Sequence, residues 1–173
     1  MSSNNTAWQF FPRSVACPDH LNRVVEVFEK NSGLISSDAH TGQTSNEVLG
    51  HLRKGFERLG FEVESSKSAS GKIQVPVLYG PNGIIEKYFD ADAYSKDLKT
   101  VMEVEAGRAV TNYQFLKDLF QACVMQEVDY LVIAVRKDYR GSSDFSKVVK
   151  FFETLYVSDK FRLPLLGVLI VGY

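Results

Sequence analysis

Residues 83–107 read GIIEKYFDADAYSKDLKTVMEVEAG. A polar turn at Lys96-Asp97-Leu98-Lys99 separates an outgoing strand ending in Tyr88 to Tyr94 from a returning strand, Thr100 to Glu105, so the segment predicts a β-hairpin. Side chains alternate between the faces of a strand, which puts Glu103 and Glu105 on one face and Met102 and Val104 on the other. With an even number of loop residues, Asp92 falls opposite Glu103 and Asp90 opposite Glu105. Cross-strand neighbours have Cβ atoms roughly 5 Å apart. Four carboxylates would then share one face with no basic residue among them, and like charges that close repel by about 1 kcal/mol even in water. A divalent cation relieves this repulsion, and Mg²⁺ takes carboxylate and phosphate oxygens as ligands. A solvated acidic face or a Ca²⁺ site fits the same spacing, because exposed antiparallel strands also alternate apolar with polar.

The flanking sequence favours a buried hairpin. Beyond Gly107 a helical pattern runs from about Val110 to Gln126, with Leu116, Leu119, Phe120 and Cys123 as its inward stripe. Tyr130 to Val135 is continuously apolar, as expected of a strand covered on both faces. A basic loop, Arg136 to Ser143, follows it at the end where open α/β sheets bind ligands. Asp144 to Ser158 is an amphipathic helix and Leu165 to Val171 a closing strand. Upstream, Thr44-Ser-Asn-Glu47 has the capping-box pattern and opens a helix whose buried stripe is Val48, Leu52, Phe56 and Leu59. Ile73 to Tyr79 contains Pro76 and suits an edge strand. Asp19 to Lys30 is a further helix, and residues 1–18 read as an irregular aromatic arm. From Glu47 onward the order is αβββαβαβ: an α/β (α+β) fold with a mixed sheet flanked by helices.

The 173 residues suit one domain, with an arm and helix over 1–43 and a core over 44–173. Hydrophobic residues make up 45% and charged residues 24%, the proportions of an ordinary soluble chain. A net charge of −1 supplies no global basic field, so nucleic-acid binding would need a local patch. Cys17 and Cys123 lack metal spacing and read as free thiols. The polar N-terminus does not resemble a signal peptide, and no apolar run has the length of a membrane span, so a cytoplasmic protein with no membrane partner is expected. Phosphate-loop, dinucleotide-binding and Ser-His-Asp patterns are absent.

Asp92 followed by Glu103-Val-Glu105, then a turn and the Tyr113-Gln-Phe-Leu-Lys-Asp-Leu-Phe120 helix, resembles the PD-(D/E)xK nuclease core over about Thr44 to Tyr173. With Glu105 at the position of the usual Lys, it is similar to type II restriction endonucleases of the BamHI and BglII group. The resemblance implies a restriction-endonuclease-like core and a Mg²⁺-dependent DNA endonuclease, with Mn²⁺ able to substitute. Asp92 and Glu103 would be metal ligands and Glu105 the group that orients or deprotonates water. Glu47 and Asp90 are possible extra carboxylates. Arg108, Asn112, Tyr113, Lys117, Arg136, Lys137 and Arg140 are candidate DNA contacts. Cutting both strands symmetrically implies a homodimer, with helix 19–30 and the aromatic arm as interface candidates. A nuclease-like module that binds DNA or protein without cutting is the alternative.

Overall fold

The computed structural model describes residues 6–138, 140–158 and 160–173. The first five residues of the polar N-terminus, and Tyr139 of the basic loop, lie outside that set. The elements in chain order are β1 (Ala7–Phe11), α1 (Asp19–Lys30), α2 (Ser32–Ile35), α3 (Ser45–Arg58), β2 (Glu62–Val63), β3 (Ile73–Tyr79), β4 (Ile85–Ala91), β5 (Ala93–Ser95), β6 (Thr100–Glu105), α4 (Gln114–Val124), β7 (Tyr130–Val135), α5 (Asp144–Ser158) and β8 (Gly167–Gly172). A six-stranded mixed sheet runs β1-β8-β7-β6-β5-β2, and β3 with β4 forms a separate two-stranded ribbon. The pairs β6–β7 and β7–β8 are parallel, while β1–β8, β5–β6 and β2–β5 are antiparallel.

Helices cover both faces of this sheet. Met102, Val104, Val132, Ala134, Leu169 and Val171 pack with Leu21 and Phe28 of α1 and with Leu52 and Phe56 of α3. Val101, Leu131, Ile133, Val168 and Ile170 pack with Phe115 and Leu119 of α4 and with Val148 and Phe152 of α5. Strands sandwiched this way must be apolar on both sides, which is why β7 and β8 read as unbroken hydrophobic runs. The period-2 rule extends the α4 side of β6 from Val101 to Glu103 and Glu105. The acidic residues thus point into the layer where α4 lies. Among the described residues no helix is long and apolar enough to cross a membrane.

The structure departs from the sequence expectation in three places. The arm is not irregular: β1 pairs with β8 along its whole length, Ala7 facing Gly172 and Phe11 facing Val168, and Phe10 and Phe11 are buried. Phe10 and Phe11 of the arm and the apolar face of α1 are taken up by the protein's own core, while Trp8 remains exposed. The helix after Gly107 starts later than Val110, at Gln114, because Asn112 and Tyr113 both take positive φ (57° and 53°), a backbone that ends helical continuity. Its buried face carries Phe115, Asp118, Leu119 and Ala122, whereas Phe120 is exposed.

The third departure concerns the hairpin, and it sets the site. The predicted outgoing strand is two strands. β5 pairs with β6 in the expected register, Ala93 facing Met102 and Ser95 facing Thr100 across the four-residue loop. β4 leaves the sheet to pair with β3, so Asp90 faces Gln74 and not Glu105. Asp92 is the single residue between them.

Upstream, the capping box at the start of α3 is formed as predicted: the Glu47 amide donates to Thr44 Oγ1 at 3.3 Å and the Thr44 amide donates to Glu47 Oε2 at 2.7 Å. Thr44→Ala is expected to lower stability by about 1 kcal/mol in urea denaturation, the usual worth of such a cap.

Candidate active site

Asp92 is held where the chain passes from ribbon to sheet, and its Oδ2 accepts the Val104 amide at 2.7 Å. That bond fixes the carboxylate beside β6, at the level of Glu103 and Glu105. The backbone of Asp92 is secured from the other side by the Glu64 amide, which donates to its carbonyl at 2.8 Å. Arg53 in turn donates to the Glu64 carbonyl at 2.7 Å, tying this corner to α3. Asp92, Glu103 and Glu105 open onto a polar cleft of about 620 Å³. Its walls include Ser45 and Asn46 of α3, Lys67, Lys72 and Tyr88 near the ribbon, and Arg108, Asn112 and Lys117 on the far side.

The electrostatics are those of a crowded acidic site. Burial pushes Asp92 up to about 7, against the Val104 amide, which favours the charged form; the neighbouring Glu64 carboxyl raises it further. Burial raises Glu103 well above the ordinary range, and the charges of Asp92, Asp118 and Glu105 add to this. Glu105 rises to about 8 through burial and then through Asp118 and Asp92. Asp118 rises to about 6 by burial, partly offset by the Lys117 ammonium 3.6 Å away. These are the changes expected of carboxylates that cannot all ionise together without a counter-charge.

Sequence reasoning did not find Asp118. It is 2% exposed, and its carboxyl hydrogen-bonds Glu105. A charged residue in an otherwise apolar stripe was its signal, but the stripe read from sequence, 116, 119, 120 and 123, turned Asp118 outward. Glu64, Lys67 and Lys72 were likewise missed, since they come from segments with no motif.

The remaining predicted residues divide. Arg108, Asn112 and Lys117 line the cleft, and Tyr113 stands beside it with an exposed ring. Arg108 is shared with an adjoining cleft of about 590 Å³ whose wall also includes Arg140. Lys137 lines neither. Arg136 also lines that adjoining cleft; it is buried, and its guanidinium donates to the carbonyls of His40, Thr41 and Gln43 at 3.3, 2.9 and 2.6 Å, so it braces the loop before α3. Asp90 lines the cleft but is ion-paired with Lys72 at 2.6 Å. Glu47 is engaged in the α3 cap and lies outside the cleft wall.

No protein-family model and no curated protein matches this chain. Its chemistry therefore has to be read from the cleft. Among the described residues no three His, Cys, Asp or Glu side chains are set up as they stand to hold a metal ion. The donor set nonetheless suits a hard cation in kind: its ligating atoms are carboxylate oxygens, and Asp118 Oδ2 is buried with no donor reaching it. In their present rotamers the carboxylates meet as pairs, Asp92 with Glu64 and Glu105 with Asp118.

Proposed function

We propose that the chain is a Mg²⁺-dependent endonuclease that hydrolyses DNA phosphodiester bonds, built on a restriction-endonuclease-like core. The observation that carries this reading is that Asp92, Glu103 and Glu105 all line one open polar cleft. The β5–β6 register supports it, as does Asp92 at the exit of the ribbon. Asp92 and Glu103 are the residues that would hold Mg²⁺, with Mn²⁺ as a substitute. A bound divalent cation supplies Lewis-acid charge to a phosphate oxygen and lowers the pKa of bound water.

The chain's own residues divide the remaining work. Glu105, free of its proton when a cation occupies the site, accepts a proton from the attacking water directly or through a second water. Lys117 brings a positive charge beside Asp118 and the glutamates, where the core of most such enzymes has its Lys on the strand. Arg108, Lys67 and Asn112, which line the cleft, would contact the phosphate backbone. Cutting both strands of a duplex calls for two copies related by a two-fold axis.

The test is incubation of supercoiled plasmid and linear DNA with Mg²⁺ or Mn²⁺, beside Asp92→Asn. Discrete fragments that vanish in EDTA and in the variant would support a sequence-specific enzyme, and ragged degradation with the same losses a nuclease without base readout. Intact DNA, or cutting that survives Asp92→Asn, would overturn the assignment and leave a DNA- or protein-binding module.

A further inference from the structure

We propose that the outer edge of β1 pairs with β1 of a second copy of this chain, antiparallel and about a two-fold axis at Gln9, so that the two sheets run on as one. The proposal is independent of the chemistry of the cleft. It starts from the strand edges that the fold leaves open among the described residues: β1 and β2 at the ends of the sheet, and the margins of the β3–β4 ribbon. Open edges are templates for further strands, and folds blunt them with short length, charge, proline or a cover. β2 is blunted by length, having only Glu62 and Val63. β3 contains Pro76, and Gln126 covers it, the backbone amide donating to the Pro76 carbonyl at 2.8 Å and the side chain to the Val77 carbonyl at 3.1 Å. β4 carries Glu86 and Lys87. β1, Ala7-Trp-Gln-Phe-Phe11, has none of these devices: its register with β8 is unbroken, and it holds neither a charge nor a proline. Trp8, the one tryptophan of the chain, stands on it 42% exposed.

The main chain of this edge is open as well. The Phe11 carbonyl lies close against Gly167 of β8, so the odd-numbered residues of β1 face the sheet and, by antiparallel alternation, Trp8 and Phe10 face outward. The Gln9 side-chain amide donates to the Phe10 carbonyl at 2.9 Å, a bond that a further strand would otherwise make.

Self-complementarity identifies the occupant. A two-fold axis normal to a sheet keeps every side chain on its own face, so facing residues are an even number of positions apart and one residue must face its own copy. On β4 an axis at Glu86 or Lys87 sets like charges opposite each other, which is destabilising. On β1 an axis at Gln9 sets the two Gln9 amides together and Trp8 against Phe10 of the second copy, an aromatic pair of the kind that stabilises antiparallel strands. The outward N–H and C=O groups of Trp8 and Phe10 then bond in both directions on each side of the axis. Trp8 and Phe10 pair with Val171 and Leu169, on the face that α1 covers, so the junction extends that apolar layer over the exposed indole. An uncharged edge offers nucleic acid no phosphate contact.

Light scattering of the full chain during size exclusion, in EDTA and without DNA, tests the junction, with Trp8→Lys and Gln9→Cys alongside. A single strand pair is a small interface, so a dimer that forms in the micromolar range is expected. Trp8→Lys, which places a charge beside the axis, should stay monomeric at the same concentrations with an unchanged far-ultraviolet circular dichroism spectrum. Facing residues have Cα atoms within disulfide reach, so Gln9→Cys should cross-link to a dimer on oxidation, whereas wild type and Ala7→Cys should not. If Trp8→Lys fails to fold, the cross-linking alone decides. A wild type that is monomeric throughout, or a dimer that survives Trp8→Lys and does not cross-link through Gln9→Cys, would overturn the proposal. A monomer that cuts DNA would overturn the junction and leave the nuclease reading standing, and a Gln9→Cys cross-link in a chain that cuts nothing would do the reverse.

Discussion

Glu103→Gln is expected to lower metal-dependent DNA cleavage by about 1,000-fold while raising the melting temperature in EDTA. A loss of that size is about 4 kcal/mol of transition-state stabilisation, the scale on which a Lewis-acid cation acts. The gain in stability comes from the same charge. Glu103 lies within the fields of Asp92, Asp118 and Glu105, and a neutral amide of the same shape removes its share of that repulsion. One like-charge contact in a half-buried setting is worth about 1 to 4 kcal/mol. In a domain of this size each kcal/mol moves the melting temperature by about 2–4 °C. Activity and stability thus move in opposite directions, which a purely structural role for Glu103 would not produce. A variant that loses both would make Glu103 a packing residue.

The second large effect is a stability that falls as pH rises when no cation is present. Asp118, Asp92 and Glu105, raised to about 6, about 7 and about 8, hold protons in the folded chain that the unfolded chain has released. Unfolded carboxyls titrate near 4. Between that value and about 8 the native state binds more protons, so stability declines with pH; below 4 both states are protonated and the contribution is complete. A tenfold gain in proton affinity on folding corresponds to about 1.4 kcal/mol, so even part of what these three carboxyls gain is a large share of the roughly 5–15 kcal/mol that holds a domain together. His20, its pKa lowered by burial, opposes the trend below its ordinary 6.5, so the slope is cleanest above that pH. Melting temperatures in EDTA should fall from pH 6.5 to 8.5, and Mg²⁺ should restore most of the loss at the alkaline end and little at pH 6.5. A flat or rising profile in EDTA would mean that the four carboxylates do not share one site.

Particular residues show where sequence was informative. The pairing of Ala93 with Met102 followed from alternation and a four-residue loop, both local quantities, and brought Asp92 to Glu103. Nothing local foretold that β4 would peel away at Asp92, because ribbon and sheet have the same alternation and the choice is made by what covers each face. Asp118 was lost to a rotation of one residue in the α4 stripe. Phe120 is as hydrophobic as Phe115, and only the packing of Phe115 against Phe151 and Phe152 decides which ring goes inside. The bracing role of Arg136 was hidden for another reason. A basic residue after a strand looks like a ligand contact, and its three carbonyl partners come from residues 40–43, nearly a hundred positions earlier.

The pairing of β1 with β8 bears on how the chain acquires its shape. Ala7 cannot meet Gly172 until all the residues between them have been synthesised, so β1 has to wait for β8 before it is secured. Until then the β8 side of β7 is a bare edge, and Phe10 and Phe11 have no core to enter. Closing so long a loop is slow compared with forming the neighbouring helices. Nascent chains should therefore pass through a stage in which the cleft can be assembled while the far margin of the sheet is still open.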